Sequence, residues 1–179
     1  MPSPLGHLLA GLSVHYALPR EAGRPRQGVR AAMCCAAAMA PDLDLLGRFF
    51  DGENHHQHET HSLGAALLAA LATVLLARVA SLPRLGWLGV GVGLSWSSHV
   101  LLDWMAVDTS PPIGIMALWP LCSDYFHFSR PIFMDIGRTL DWQTFRHDLL
   151  AVGWEFVVLV PVLLLAWRIA EGRVDGARV

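Results

Sequence analysis

Apolar residues in this chain gather into five runs separated by short polar stretches. The first covers residues 5–18, from Leu5 to Leu18, and ends at Pro19. As a helix it would be about 21 Å long, short of the roughly 30 Å hydrocarbon core of a bilayer. A second helix is predicted from Val29 to Met39, built mostly of Ala, Met and Cys. Pro41 then disfavours helical geometry at Ala40. Asp42-Leu43-Asp44 is therefore expected just past a helix end, in extended backbone where both carboxylates point the same way. Residues 47–61 form a polar connection. Leu63 to about Ala80 is uncharged until Arg78 and is the first convincing membrane helix. Leu85 to about Trp104 runs back, with Gly86, Gly89, Gly91, Gly93, Ser95, Ser97 and Ser98 allowing close helix contact in lipid. Residues 105–148 hold Pro111, Pro112, Pro120 and Pro131 among aromatics and mixed charge, which predicts an irregular, interfacial segment with one or two short helices. A last span runs from Leu149 to about Trp167. The pattern predicts an all-α, polytopic helical membrane protein: one domain over residues 1–179, a bundle of about five apolar helices.

Composition agrees. Hydrophobic residues make up 54% and charged residues 16%, against roughly 25% charge in a soluble domain. Much of the surface should not face water. Net charge is −2, so no nucleic-acid partner is expected. Cys34, Cys35 and Cys122 form no CxxC and no disulfide framework. The first 18 residues lack a basic stretch before their apolar part, so a cleaved signal peptide is not expected. All 13 basic residues are arginine. If successive helix ends alternate sides, Arg20, Arg24, Arg26, Arg30, Arg78, Arg84, Arg168, Arg173 and Arg178 share one face. Arg48, Arg130, Arg138 and Arg146 share the other. The excess places the first face in the cytoplasm of a bacterial inner membrane.

The same alternation sorts the candidate ligands. Residues 55–62 read His-His-Gln-His-Glu-Thr-His-Ser, with four of the chain's nine histidines, directly before the charge-free run. Imidazole is the commonest protein ligand for a transition metal. His7 opens the first helix, Asp42 and Asp44 close the second, His56 and His61 precede the third, and His99 and Asp103 end the fourth. All seven fall at one level, on the face away from most arginines. His99 and Asp103 are four apart and share one helix face, a spacing that can chelate one ion. His56 and His61, five apart, suit a loop followed by a helix start, with Thr60 or Ser62 as the cap. Ionisable groups inside a membrane are costly and usually functional. His15, His127 and His147 have no partner at a suggestive spacing and read as structural. His55, His58 and Glu59 read as supporting or solvated groups, and Glu155 as the partner of an arginine or of the site.

These residues resemble the YdjM-like, LexA-regulated membrane-bound metal-dependent hydrolases. The matching pieces are Gly6-His7-Leu8-Leu9-Ala10-Gly11, Ala40-Pro41-Asp42-Leu43-Asp44, His56 to Ser62, and Ser98-His99-Val100-Leu101-Leu102-Asp103, with Trp119-Pro120 later, about residues 5–120 in all. Gln57 stands where that family usually has arginine. The family is in turn distantly similar to zinc-dependent phospholipases C and P1-type single-strand nucleases, all-helical enzymes with a zinc cluster. The resemblance implies His7, Asp42 or Asp44, His61, His99 and Asp103 as metal ligands, with His56 beside them. The second His-x3-Glu helix of the soluble enzymes has no counterpart, so one or two ions are expected rather than three.

The expected activity is metal-dependent hydrolysis of a phosphoester, with a lipid or lipid-linked phosphate as the substrate class suggested by location. A mixed His/carboxylate set suits Zn²⁺, or Mn²⁺ in a more oxygen-rich site. Asp42, Asp44 and His56 are the candidates for catalytic roles, orienting water or accepting its proton. Two rival classes fit the same residues: a membrane metal-binding or transport protein, and a structural helical protein whose histidines only hydrogen-bond.

Overall fold

The computed structural model describes residues 1–19, 25–52, 56–81 and 86–176. Five long helices carry it: α1 (Pro4–Ala17), α2 (Pro25–Met39), α4 (Leu63–Val79), α5 (Gly86–Trp104) and α6 (Trp142–Gly176). A single turn, α3 (Arg48–Asp51), lies between α2 and α4. Two isolated bridges, Ala106 to Phe133 and Ile115 to Phe126, are the extended pairings among the described residues, which contain no strand. The all-α expectation holds.

The expected set of several membrane spans is not met. Among the described residues one helix, α6, is long and apolar enough to cross a bilayer, over Trp142–Arg173. At 17 residues α4 covers about 26 Å. At 19 residues α5 covers about 28 Å, and polar Ser97, Ser98, His99 and Asp103 occupy its last turns. Both helices end where chemistry-bearing residues begin. Even so, α4 leaves Leu67, Leu68, Leu71, Leu75 and Leu76 more than half exposed, a larger apolar face than a water-facing helix usually carries.

Helix boundaries follow local chemistry. Pro4 opens α1, where its missing N–H is not needed. Ser3 caps it, its Oγ accepting from Gly6 N at 3.3 Å. Ser62 does the same for α4, accepting from Ala65 N at 3.0 Å. Pro41 does not break the chain into extended form. It stands in the first turn of a tight 3-10 helix, Ala40–Leu46, that continues α2. At three residues per turn, Asp42 and Asp44 diverge by about 120°, so the expected parallel aim of the two carboxylates is wrong. The last helix begins earlier than the apolar run suggests, because Asp141 caps it: Oδ1 accepts from Gln143 N and Thr144 N, both at 2.9 Å.

The five helices pack so that α1, α4 and α6 run one way and α2 and α5 the other, with α5 touching α1, α2 and α4, and α1 touching α6. At one end Ser3 N donates to Glu155 Oε1 at 2.6 Å and Ser3 Oγ donates to Glu155 Oε2. At the other, Arg173 Nη1 donates to the Ala17 carbonyl at 2.9 Å. Glu155 thus pairs with neither an arginine nor the site; it clasps the start of α1. Small residues set the spacing. A Cβ on Gly11 would lie 2.7 Å from the Cys34 carbonyl of α2, and one on Gly89 only 2.4 Å from Val74 Cγ2 of α4.

Residues 105–141 contain no helix among the described residues and fold across the end of the bundle that holds Ser3 and Ser62. Met116 N donates to the Gln57 carbonyl at 3.1 Å, Leu63 N to the Ala117 carbonyl at 2.9 Å, and Ile132 N to the Met105 carbonyl at 2.8 Å. Ile115 and Phe133 are buried beneath this cover.

Two outcomes check this packing. Gly11→Ala should cost about 1–3 kcal/mol by forcing α1 and α2 apart, read as a lower denaturation midpoint in detergent. A loss below a few tenths would contradict the close approach. The Asp141 carboxyl is held down to about 2, from the ordinary 3.8, chiefly by the Thr139 hydroxyl and then by the Thr144 amide and hydroxyl. Because the folded value is depressed, the cap is fully present above about pH 4 and is lost as pH falls toward 2. Exchange protection of the Gln143 and Thr144 amides should fall over that window, and should be weak at every pH in Asp141→Ala.

Candidate metal centre

Four separate segments bring donors to one point. His7 comes from α1, Asp42 and Asp44 from the 3-10 helix, His61 from a second 3-10 turn (Glu59–His61), and His99 with Asp103 from α5. Hydrogen bonds fix the rings. His99 Nδ1 lies 2.7 Å from the Ala38 carbonyl, the last turn of α2. A carbonyl can only accept, so Nδ1 carries the proton and Nε2 presents its lone pair. His61 Nδ1 lies 3.1 Å from Asp44 Oδ2, which by the same logic leaves His61 Nε2 free.

The two free Nε2 atoms stand 3.1 Å apart. Asp103 Oδ2 is 3.2 Å from His61 Nε2 and 3.1 Å from His99 Nε2. Asp42 Oδ1 is 3.7 and 3.6 Å from the same two atoms. Four donors held about 2.0–2.1 Å from a common tetrahedral centre have edges of about 3.3 Å. The five edges here bracket that value. The orphaned atoms agree. Asp42 Oδ1, both Asp103 oxygens and both His7 ring nitrogens are buried without a hydrogen-bond partner. An uncompensated buried carboxylate costs several kcal/mol, and buried polar groups are normally satisfied. A divalent cation among Asp42, His61, His99 and Asp103 would satisfy Asp42 Oδ1, Asp103 Oδ2 and both lone pairs. The residues fit such an ion.

His7 sits beside this set. Its ring stacks on His99 with centroids 3.8 Å apart, and its Nε2 is 3.4 Å from Asp103 Oδ1, the oxygen turned away from His61. Asp44 and His56 sit behind it. Asp44 Oδ1 meets His56 Nδ1 at 2.8 Å, and Asp44 Oδ2 accepts from Thr60 Oγ1 at 2.7 Å. Asp44, His56 and His61 could themselves bracket an ion. The hydrogen-bond pattern makes Asp44 the group that orients both imidazoles, as carboxylates behind metal-bound histidines commonly do. Burial alone would raise the Asp44 carboxyl, but His56, His61 and Thr60 together hold it well below the usual range. Burial likewise works against a charged His61, and Asp103, Asp42 and Asp44 reverse it, holding His61 well above its ordinary value. The centre therefore favours positive charge at this point.

All seven residues singled out by the sequence lie in this cluster. The others do not join it. His58 faces Tyr125, with ring centroids 5.8 Å apart. Glu59 is exposed. His15 accepts from Arg30 Nε at 3.3 Å, and His147 Nε2 donates to the Asp135 carbonyl at 2.9 Å. His55, with Arg20, Arg24, Arg84 and Arg178, lies outside the described residues. Sequence reasoning missed the Ala38 carbonyl, the anchoring of Thr60 through Trp96 Nε1, which donates to its carbonyl at 2.7 Å, and the use of Thr60 to hold Asp44. Only Thr60 carried a sequence signal, and that signal read as a helix cap.

Asp42 has the only partly exposed side chain of the four, at 16%. It borders a cavity of about 340 Å³ whose wall also includes His56, Gln57, Asp108, Asp135 and Arg138. Gln57 is buried and adopts a left-handed backbone, φ 69°, a conformation that non-glycine residues hold only where surrounding structure enforces it.

The family model for the YdjM inner membrane protein matches residues 1–173. The chain belongs to that family. Membership places it among inner membrane proteins, consistent with α6, and the match extends through that helix, beyond the stretch that carried the resemblance in sequence. No match was found among curated proteins or among solved structures.

Metal titration of purified protein against a chelating dye checks the centre. Wild type should bind a stoichiometric divalent ion, and His99→Ala or Asp103→Ala should abolish tight binding. Asp44→Asn should weaken it about 10- to 100-fold without abolishing it. Equal affinity in all four proteins would contradict the assignment.

Proposed function

We propose that this YdjM-family protein is a metal-dependent hydrolase of the inner membrane acting on a phosphoester. The observation that carries the reading is the convergence of Asp42, His61, His99 and Asp103 on one point, with the Asp42 and Asp103 oxygens lacking hydrogen-bond partners, and the set opening through Asp42 onto a cavity. A divalent ion held by these two imidazoles and two carboxylates, Zn²⁺ or Mn²⁺ as the alternative, would supply a Lewis acid and acidify water at the site. The chain's own groups supply the rest. Asp44 holds His61 and His56 in fixed tautomers. His56, with Nδ1 on Asp44 and its ring on the cavity wall, is placed to take a proton from water entering the cavity. Asp42 stands between buried donors and open space and is placed to orient that water. His7, stacked on His99, braces Asp103 and is the donor available to a second ion.

The multi-pass arrangement belongs to the same proposal. The exposed leucines of α4 and the apolar length of α5 suit helices that sit in the bilayer beside α6. Arg30 and Arg173 gather near the ends of α1 and α6 opposite the centre, which supports a cytoplasmic arginine face and an extracytoplasmic site. A site at that level suits a lipid headgroup or a lipid-linked phosphate. The similarity to phospholipases C rests on the same donor types and remains part of this reading. A metal carrier is the second reading; the gathering of donors at one end of the helices, rather than along their length, favours the enzyme.

Purified protein assayed on bis(p-nitrophenyl) phosphate and on phosphatidylglycerol or phosphatidylcholine vesicles should turn over at least one substrate. Turnover should stop with chelator and return with added Zn²⁺ or Mn²⁺. Turnover indifferent to chelator would defeat metal catalysis. Absence of turnover together with metal flux into vesicles would favour the carrier.

A further inference from the structure

The cavity over Asp42 and His56 is lined by carboxylates, and an anionic substrate would be repelled unless a cation answers it. One of those carboxylates is already committed: Asp108 accepts from Ser110 N at 3.0 Å and from Gly114 N at 2.7 Å. Asp42 and Asp135 keep their charge facing the cavity. Among the described residues, the one cationic side chain in the wall is Arg138. Its guanidinium meets no carboxylate among the described residues; its one polar contact there is Nη2 to Met1 Sδ at 3.8 Å. Arg138 is itself exposed, so its remaining donors face solvent at the edge of an acidic cavity and are open to an anionic ligand.

Its position is set from both sides. The preceding residue is pinned, Gly137 N donating to Asp148 Oδ1 at 2.8 Å on α6. The same Met1 sulfur that meets Arg138 also touches His56 Nε2. A single thioether atom therefore spans the gap between the guanidinium and the imidazole next to the metal centre. Gln57, held in its left-handed conformation by Met116 N on its carbonyl, adds a neutral amide to the same wall.

We propose that Arg138, with the Gln57 amide, forms the anion-binding subsite of this cavity and restricts substrates to esters carrying an ionised phosphate oxygen. The proposal rests on the hydrolase reading for the word substrate, but not for the binding site itself. A guanidinium offers a planar fork that matches two phosphate oxygens, which an ammonium does not. An ester bound this way has its anionic oxygens on Arg138 and its reacting phosphorus toward Asp42 and His56. Arg138 is a substrate-binding residue and has no part in holding the ion.

Inorganic phosphate is the probe. Its binding to full-length, metal-loaded protein in detergent, at low fixed salt, is measured by calorimetry for wild type, Arg138→Gln, Arg138→Lys and Arg130→Gln, the last an exposed arginine absent from the cavity wall. Arg138→Gln should weaken phosphate binding at least tenfold, and Arg138→Lys should recover part of it. Arg130→Gln should match wild type, and all four should keep the same metal stoichiometry. On any ester that wild type hydrolyses, Arg138→Gln should raise KM with little change in kcat. Phosphate affinity in Arg138→Gln within twofold of wild type, or no phosphate binding by wild type, would overturn the proposal. If wild type hydrolyses nothing but still binds phosphate through Arg138, the hydrolase reading fails and the subsite stands. If hydrolysis is seen and Arg138→Gln leaves KM unchanged, the subsite fails alone.

Discussion

Two imidazole lone pairs and two carboxylates confined within a few ångströms, out of reach of water, cannot be left to face each other. The repulsion between His61 Nε2 and His99 Nε2, 3.1 Å apart, and between the oxygens of Asp42 and Asp103 calls for positive charge at their centre, and the spacing of the four donors accommodates a divalent cation there. That requirement organises much else in the bundle. The Ala38 carbonyl turns His99, Asp44 turns His61, Thr60 holds Asp44, and Trp96 holds Thr60. Each link comes from a different segment, so the centre forms only when α2, α5 and the start of α4 have docked.

The architecture serves this end of the molecule. Glycines at close approaches draw α1 to α2 and α4 to α5, and Ser3 with Glu155 fixes the start of α1 one turn ahead of His7. The segment 105–141 then closes over the top, tied by backbone hydrogen bonds to residues 57 and 63. That cover is not decoration: it supplies most of the cavity wall, including Asp108, Asp135 and Arg138. At the opposite end Arg30 and Arg173 donate to the Pro19 and Ala17 carbonyls.

Much of this was legible in the chain. His99 and Asp103 share a face because any helix puts residues four apart together, and the start of α4 is marked by Ser62 before a charge-free run. The shared level of the seven candidate residues followed from alternating helices. What failed did so for local reasons. Pro41 reads as a stop, yet at the head of a 3-10 turn its missing N–H is no loss, and the turn aims Asp42 and Asp44 at different partners. The polar start of α6, with Gln143, Arg146, His147 and Asp148, hid a helix that Asp141 caps. Apolar runs alone suggested several spans, yet among the described residues only α6 is both long and apolar enough to cross a bilayer, since α4 stops at 17 residues and α5 carries Ser97, Ser98, His99 and Asp103 in its last turns. The cavity was invisible from sequence, since Gln57 and Arg138 come to line it only through long-range folding, and nothing in the spacing of either announces it.

X-ray absorption of the metal-loaded protein tests the central claim most directly, because it reads the shell around the ion itself. The account predicts nitrogen and oxygen scatterers at about 2.0–2.1 Å, with the outer-shell signature of at least two imidazoles that weakens in His99→Ala. A shell of oxygens alone, or one containing sulfur, would contradict it.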